Sequence, residues 1–128
     1  MSVSRVASSS RYAPVIGFSS AVRAGSLVFV AGTTAVDSSG AVIGGDDPYA
    51  QTQEALRKIS AVLAEAGTDL SHVVQTRMYL IRPEHWEHVG RAHGEVFAEN
   101  SPAATMVVVA GLLDPRMQIG RASCRERV

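Results

Sequence analysis

The sequence predicts a two-layer domain in which two helices pack on one face of a sheet, and three observations carry the prediction. Two helix-length stretches, after Pro48 and after Pro83, repeat apolar residues at helical spacing. Apolar or alternating runs precede, separate and follow them, so the order is strands, helix, strand, helix, strand. With 128 residues, 46% of them hydrophobic and 19% charged, the chain can build one core that buries about two thirds of the unfolded surface. It has no internal repeat or linker, so one domain is expected over 1–128, with its core at about 15–117.

The opening "SVSRVAS" is compatible with an edge strand. A turn at Ala24-Gly25-Ser26 leads into the apolar run Leu27 to Ala31, a strand covered on both faces. "DSSG" at Asp37 to Gly40 reads as a loop, with "AVIGG" as the short partner of a hairpin. The first helix opens with acids and Pro48 and stops at Gly67, and its stripe is Ala55, Leu56, Ile59, Val62, Leu63 and Ala66.

"HVVQTRMYLI" alternates, with Val74, Thr76, Met78 and Leu80 on one face and Val73, Gln75, Arg77, Tyr79 and Ile81 on the other. Pro83 starts the second helix, whose stripe of Trp86, Val89, His93, Val96 and Phe97 runs until "ENSP" stops it. "ATMVVVAGLL" is a further strand, apolar on both faces. Two helices cover one face of such a sheet, so the other face needs a second subunit and an oligomer is expected.

Composition removes whole classes of function. No apolar run approaches the roughly 20 residues of a membrane span, and the first fifteen residues lack the apolar centre of a secretory signal, so a cytoplasmic location is expected. Net charge is zero, which gives no footprint for nucleic acid or an anionic membrane. The one cysteine, Cys124, sits in the closing run "IGRASCRERV" with Arg121, Arg125, Arg127 and Glu126. Without that run the body keeps nine of twelve basic and eleven of twelve acidic residues, a net charge of −2, and has no thiol. A disulfide framework, a thiolate metal site and a cysteine nucleophile drop out with it.

Few motifs carry chemistry. His85 and His88 are three apart on a helix near His93, but no His-Glu-x-x-His pattern accompanies them, so solvated histidines explain the first two better than a metal. His93 differs because it lies on the apolar stripe, where an imidazole needs a hydrogen-bond partner or lines a pocket. "AGTTAVDSSGAVIGG" matches neither a phosphate loop nor a dinucleotide fingerprint, and no nucleophile elbow supports a hydrolase triad.

The stretch "AVRAGSLVFVAGTTAVDSSGAVIGGDDPYAQTQEALRKISAVLAEAGTDLSHVVQTRMYL", continued by "GEVFAENSPAATMVVVAGL", resembles the RidA (YjgF) family of reactive-intermediate deaminases over roughly Arg23 to Met117. The resemblance implies an α+β, chorismate-mutase-like fold with a mixed sheet, a homotrimer, and a small-molecule pocket at each subunit interface. Archetypal members hydrolyse enamines or imines to 2-oxo acids and ammonia without metal or cofactor. That chemistry needs a cation for the substrate carboxylate, donors that hold the substrate flat, and a carboxylate that orients water.

By the resemblance the pocket comprises Phe18, Gly32, Thr33, Gly90, His93 and Ala104, and it departs from the archetype in several places. The family's Pro-Ala-Arg motif is "PAAT" here, so Ala104 stands where an arginine would grip the carboxylate. Gly90 replaces a polar residue of the second helix, His93 stands where an aromatic residue is common, and Phe18 where a tyrosine often is. The resemblance also implies a last strand bearing the water-orienting glutamate, yet Gly120 and Ala122 stand about where acids belong.

The run "IGRASCRERV" has no alternation, four charges and a glycine, and so fails as a strand by its own pattern. It can be spelled ATC GGA AGA GCG TCG TGT AGG GAA AGA GTG, which matches a common sequencing-adapter sequence. Residues 118–128 then read as a non-native tail in place of the last strand. The expected function is a deaminase-like hydrolase of small reactive metabolites with a non-archetypal pocket, and strong archetypal 2-iminobutanoate/2-iminopropanoate deaminase activity is not expected. Two other classes stay open: a non-catalytic trimer that binds a metabolite or partner through the same cleft, and, from fold alone, a chorismate-mutase-type enzyme, against which the missing arginine counts.

Overall fold

The computed structural model describes residues 2–127, with side chains to Gly120. Its strands are β1 (Val3–Val6), β2 (Ala21–Ala24), β3 (Leu27–Val30), β4 (Val73–Leu80), β5 (Ala103–Val108) and β6 (Ile119–Arg127). Its helices are α1 (Ala13–Ile16), α2 (Pro48–Glu65) and α3 (Trp86–Phe97). The strands form one mixed sheet in the order β1-β2-β3-β6-β4-β5. Only β4 and β5 run parallel, with α3 as the crossover between them, and every other pair is antiparallel.

α2 forms where its start and stop signals stand. The Asp47 carboxylate accepts from the Tyr49 N–H at 3.0 Å and Pro48 occupies the first turn. At the far end Gly67 takes φ +89°, a left-handed conformation suited to glycine, and the Thr68 N–H closes on the Leu63 carbonyl. Arg23 on β2 donates to the Ala66 carbonyl at 2.9 Å, tying that end to the sheet. Leu56, Ile59 and Leu63 are fully buried against Val28 and Val30 of β3 and Phe97 of α3, each stabilising the fold by roughly 2 kcal/mol.

A smaller cluster joins Met78 and Leu80 of β4 to Val89 of α3 and Ile119 of β6. Both helices thus cover one face of the sheet. On the other face Arg77 is exposed, Phe29 and Tyr79 are half-buried, and Val107 is 41% exposed.

Four expectations change. Val74 is exposed while Val73 is buried, because the β4–β6 register slips between Val73 and Gln75 and reverses the start of β4. The hairpin partner "AVIGG" shrinks to a single bridge between Val36 and Val42. The second helix begins as a 3-10 turn at Pro83–His85, and Trp86, expected in its apolar stripe, is 58% exposed. Residues 119–127 form β6 in the middle of the sheet, against the reading that the tail fails as a strand. The facing edges of β3 and β4 present two rows of backbone donors and acceptors, and any L-residue backbone can satisfy them whatever its side-chain pattern.

Candidate functional site

A cleft of about 570 Å³ opens between the N-terminal segment 7–20, the 31–40 loop that leaves β3, the outer side of α2 and the 112–120 segment. Each wall is held by local chemistry. Ser8 and Ser10 hydroxyls accept from the N–H groups of Ser10 and Tyr12, which sets the turns that deliver Arg11 and Tyr12 to the mouth. α1 then presents Val15 and Ile16 outward, 85% and 63% exposed, ahead of Phe18.

The 31–40 loop is pinned at both ends. The Ala31 N–H donates to the Ser20 carbonyl, and the Thr33 hydroxyl donates to the Ala31 carbonyl at 3.0 Å. Lys58 Nζ on α2 donates to the Thr34 and Val36 carbonyls, each at 2.7 Å. The Asp37 carboxylate accepts from the Ser39 hydroxyl and from the Ser39 and Ala41 N–H groups, which hold it below the usual carboxylate range. At the cleft's other side Asp114 pairs with Arg116 at 2.5 Å, and its pKa falls to about 2 chiefly for that reason.

Three of the expected pocket residues, Phe18, Gly32 and Thr33, line this cleft. The other three lie elsewhere in the protomer. Gly90 and His93 are on α3 and Ala104 is on β5, where it pairs in register with Thr76. His93 Nε2 lies 2.9 Å from the hydroxyl of Thr76, which is fully buried, and its ring tilts against Phe97 with centroids 4.7 Å apart. Ala104 is exposed at the sheet edge, and a Cβ placed on Gly90 would meet no atom within 4 Å. The six expected residues therefore fall in two places in the protomer, three in the cleft wall and three on α3 and β5.

Sequence reasoning missed Lys58 and Gln51. The Gln51 amide is fully buried, donates to the Gly45 and Arg116 carbonyls and accepts from the Gln118 N–H at 2.9 Å, so it fastens two loops of the cleft to α2. A polar residue on the edge of a helical stripe is the ordinary signature of a solvated position, and nothing in the spacing distinguished either one. Gly120, expected near the position of an acid, is buried in the cleft wall, where a Cβ would come within 3.1 Å of Leu112. Ala122 lies outside the residues whose side chains are described. Among the described residues, no three His, Cys, Asp or Glu side chains converge as a metal site would require. None of the described helices is long and apolar enough to cross a membrane.

Comparison with known proteins follows the same outline. The family model described as Endoribonuclease L-PSP matches residues 8–120. An uncharacterized protein of Streptomyces coelicolor is 39% identical over 117 residues, which cover 91% of this chain and 87% of that one. A RutC family protein of Pyrococcus abyssi is 33% identical over 100 residues, covering 77% and 78%. Among solved structures, Rv2704 of Mycobacterium tuberculosis, described as a member of the YjgF/YER057c/UK114 family, superposes with a TM-score of 0.89 at 38% identity, over 99% of this chain and all of that one. Yeast Mmf1, at 17% identity and a TM-score of 0.86 over 98% of both chains, shares the fold.

Proposed function

The chain belongs to the YjgF/RidA family, and on that premise we propose that it hydrolyses small reactive enamines or imines in a pocket completed between subunits of a homotrimer. The observation that carries this reading is the division of the site. Phe18, Gly32 and Thr33 wall a cleft of the protomer, while Ala104 stands exposed on β5 and Gly90, on α3, has open space where a side chain would be. A copy of the chain that sets its β5 edge against the cleft of its neighbour would bring the two halves together.

In that pocket Phe18 would hold a flat unsaturated substrate and the Gly32–Thr33 segment would supply polar contacts. Water would add to the carbon of the C=N bond, the nitrogen would take the proton, and ammonia would leave as the carbonyl forms. Ala104 gives no grip on a carboxylate, so archetypal 2-imino acids would be held poorly at that point. The charge balance of zero supports a small-molecule substrate over a polynucleotide, whatever the family's description as an endoribonuclease suggests.

Ala104 favours a second reading: with no cation there to grip a carboxylate, the same cleft in a non-catalytic trimer could bind a metabolite or partner without turning it over. Ammonia release from freshly generated 2-aminoacrylate, measured for the natural chain beside Ala104→Arg, separates the two. Release by either protein supports the hydrolase, and activity confined to the variant would mean a pocket tuned to another substrate. No release from either leaves the binding module.

A further inference from the structure

Lys58 is the only lysine in the chain, beside eleven arginines. It lies on α2 in the wall of the cleft, partly buried, with two of its three N–H groups spent on the Thr34 and Val36 carbonyls. Among the described residues no carboxylate oxygen stands within 4 Å of its nitrogen. The acids that could neutralise it are committed elsewhere. Glu54, one turn earlier on α2, grips Arg57 through both oxygens, at 2.7 and 2.6 Å, and Asp37 is turned onto Ser39 and Ala41.

An ammonium partly removed from water without a counter-ion is unfavourable, and burial indeed pushes Lys58 below its ordinary pKa. Two carbonyl dipoles hold the group in place but leave its charge and one donor unsatisfied. Arg11, at the mouth of the same cleft, also has no carboxylate within ion-pair distance among the described residues, while Asp37, Glu65 and Asp114 balance the basic residues of the wall, so Lys58 itself is the local cation that an anion would meet. One helical turn beyond Lys58 the α2 wall is apolar, with Ala61 and Val62, and Phe18 and Leu112 add apolar surface to the same cleft.

We infer that Lys58 is an anion-binding residue of this cleft and that the cleft takes a small carboxylate with a short apolar body, its head on the free N–H of Lys58 and its body against Phe18 and Val62. The inference rests on the cleft being the small-molecule site proposed above, but not on hydrolysis. It supplies from α2 the cation that position 104 does not provide.

Because there is one lysine, its 15N ammonium resonance reports the site in the unaltered chain without ambiguity. Hexanoate and its uncharged counterpart hexanamide are the probes. Hexanoate is expected to shift the Lys58 resonance saturably and hexanamide to leave it in place. Lys58→Gln should bind hexanoate about tenfold or more weakly, while Lys58→Arg should stay within about threefold of the natural chain. The inference falls if hexanamide binds as tightly as hexanoate, if hexanoate binds without moving the lysine signal, or if neither compound binds. Should Lys58→Gln fail to fold, the resonance of the unaltered protein still decides. The ammonia assay is independent, so loss of the anion site and loss of the hydrolase reading are told apart.

Discussion

One buried side chain, Gln51, ties two loops to α2. It meets two carbonyls and an N–H from the two loops, and removing it leaves three part-buried polar groups without their partner. Gln51→Leu, close in size and apolar, is expected to lower the unfolding free energy by about 3 kcal/mol, read from the urea midpoint at unchanged slope. Asp114 makes a different kind of residue-level prediction. Its carboxyl is lowered from 3.8 to about 2 in the folded chain, so the folded state holds the proton less tightly than the unfolded one. The stabilisation is present above about pH 4 and disappears as pH falls through about 2. Asp114→Asn should therefore unfold more easily than the parent at neutral pH, with the two denaturation midpoints converging toward pH 2.

At the level of elements, β5 is the exposed edge of the sheet. Val107 is 41% and Val108 51% exposed, and Val107 lies on the face that the helices do not cover. If the chain forms the proposed homotrimer through this face, Val107→Lys is expected to leave the protomer folded, with an unchanged circular dichroism spectrum, and to reduce the sedimenting mass from trimer toward monomer. A variant that still sediments as a trimer would show that this face is not the subunit contact. Elements with strong local signals could be read directly: α2 has its acid cap, its proline and a six-residue apolar stripe, and the structure keeps it from Pro48 to Glu65. α1 and β2 are four residues each, too short for any periodicity to register. β6 misled for the opposite reason, since its strand character comes from its two neighbours and not from its own residues. The cleft residues Phe18, Gly32 and Thr33 could be found only through the family resemblance, and Lys58 not even so, because its role depends on two carbonyls of a distant loop.

For the whole molecule, the family match ends at residue 120, close to where the chain stops reading like a family member. The sequence reading of residues 118–128 as a non-native tail is a testable one, and the structure places residues 119–127 as a paired strand whose first side chain, Ile119, is fully buried. Independent amplification of the locus should diverge from these codons, and the same codons running on in the genome would end that reading. The place of β6 carries a further consequence. Among the described strands it alone pairs with both β3 and β4, and so joins β1-β2-β3 to β4-β5 within the sheet. Before β6 is in place the two halves of the sheet are held together only through the core, where α2 packs on Val28 and Val30 of β3 and on Val73 of β4. The facing edges of β3 and β4 are unpaired until that strand docks, and they are the part of the sheet that a chaperone would have the most to protect.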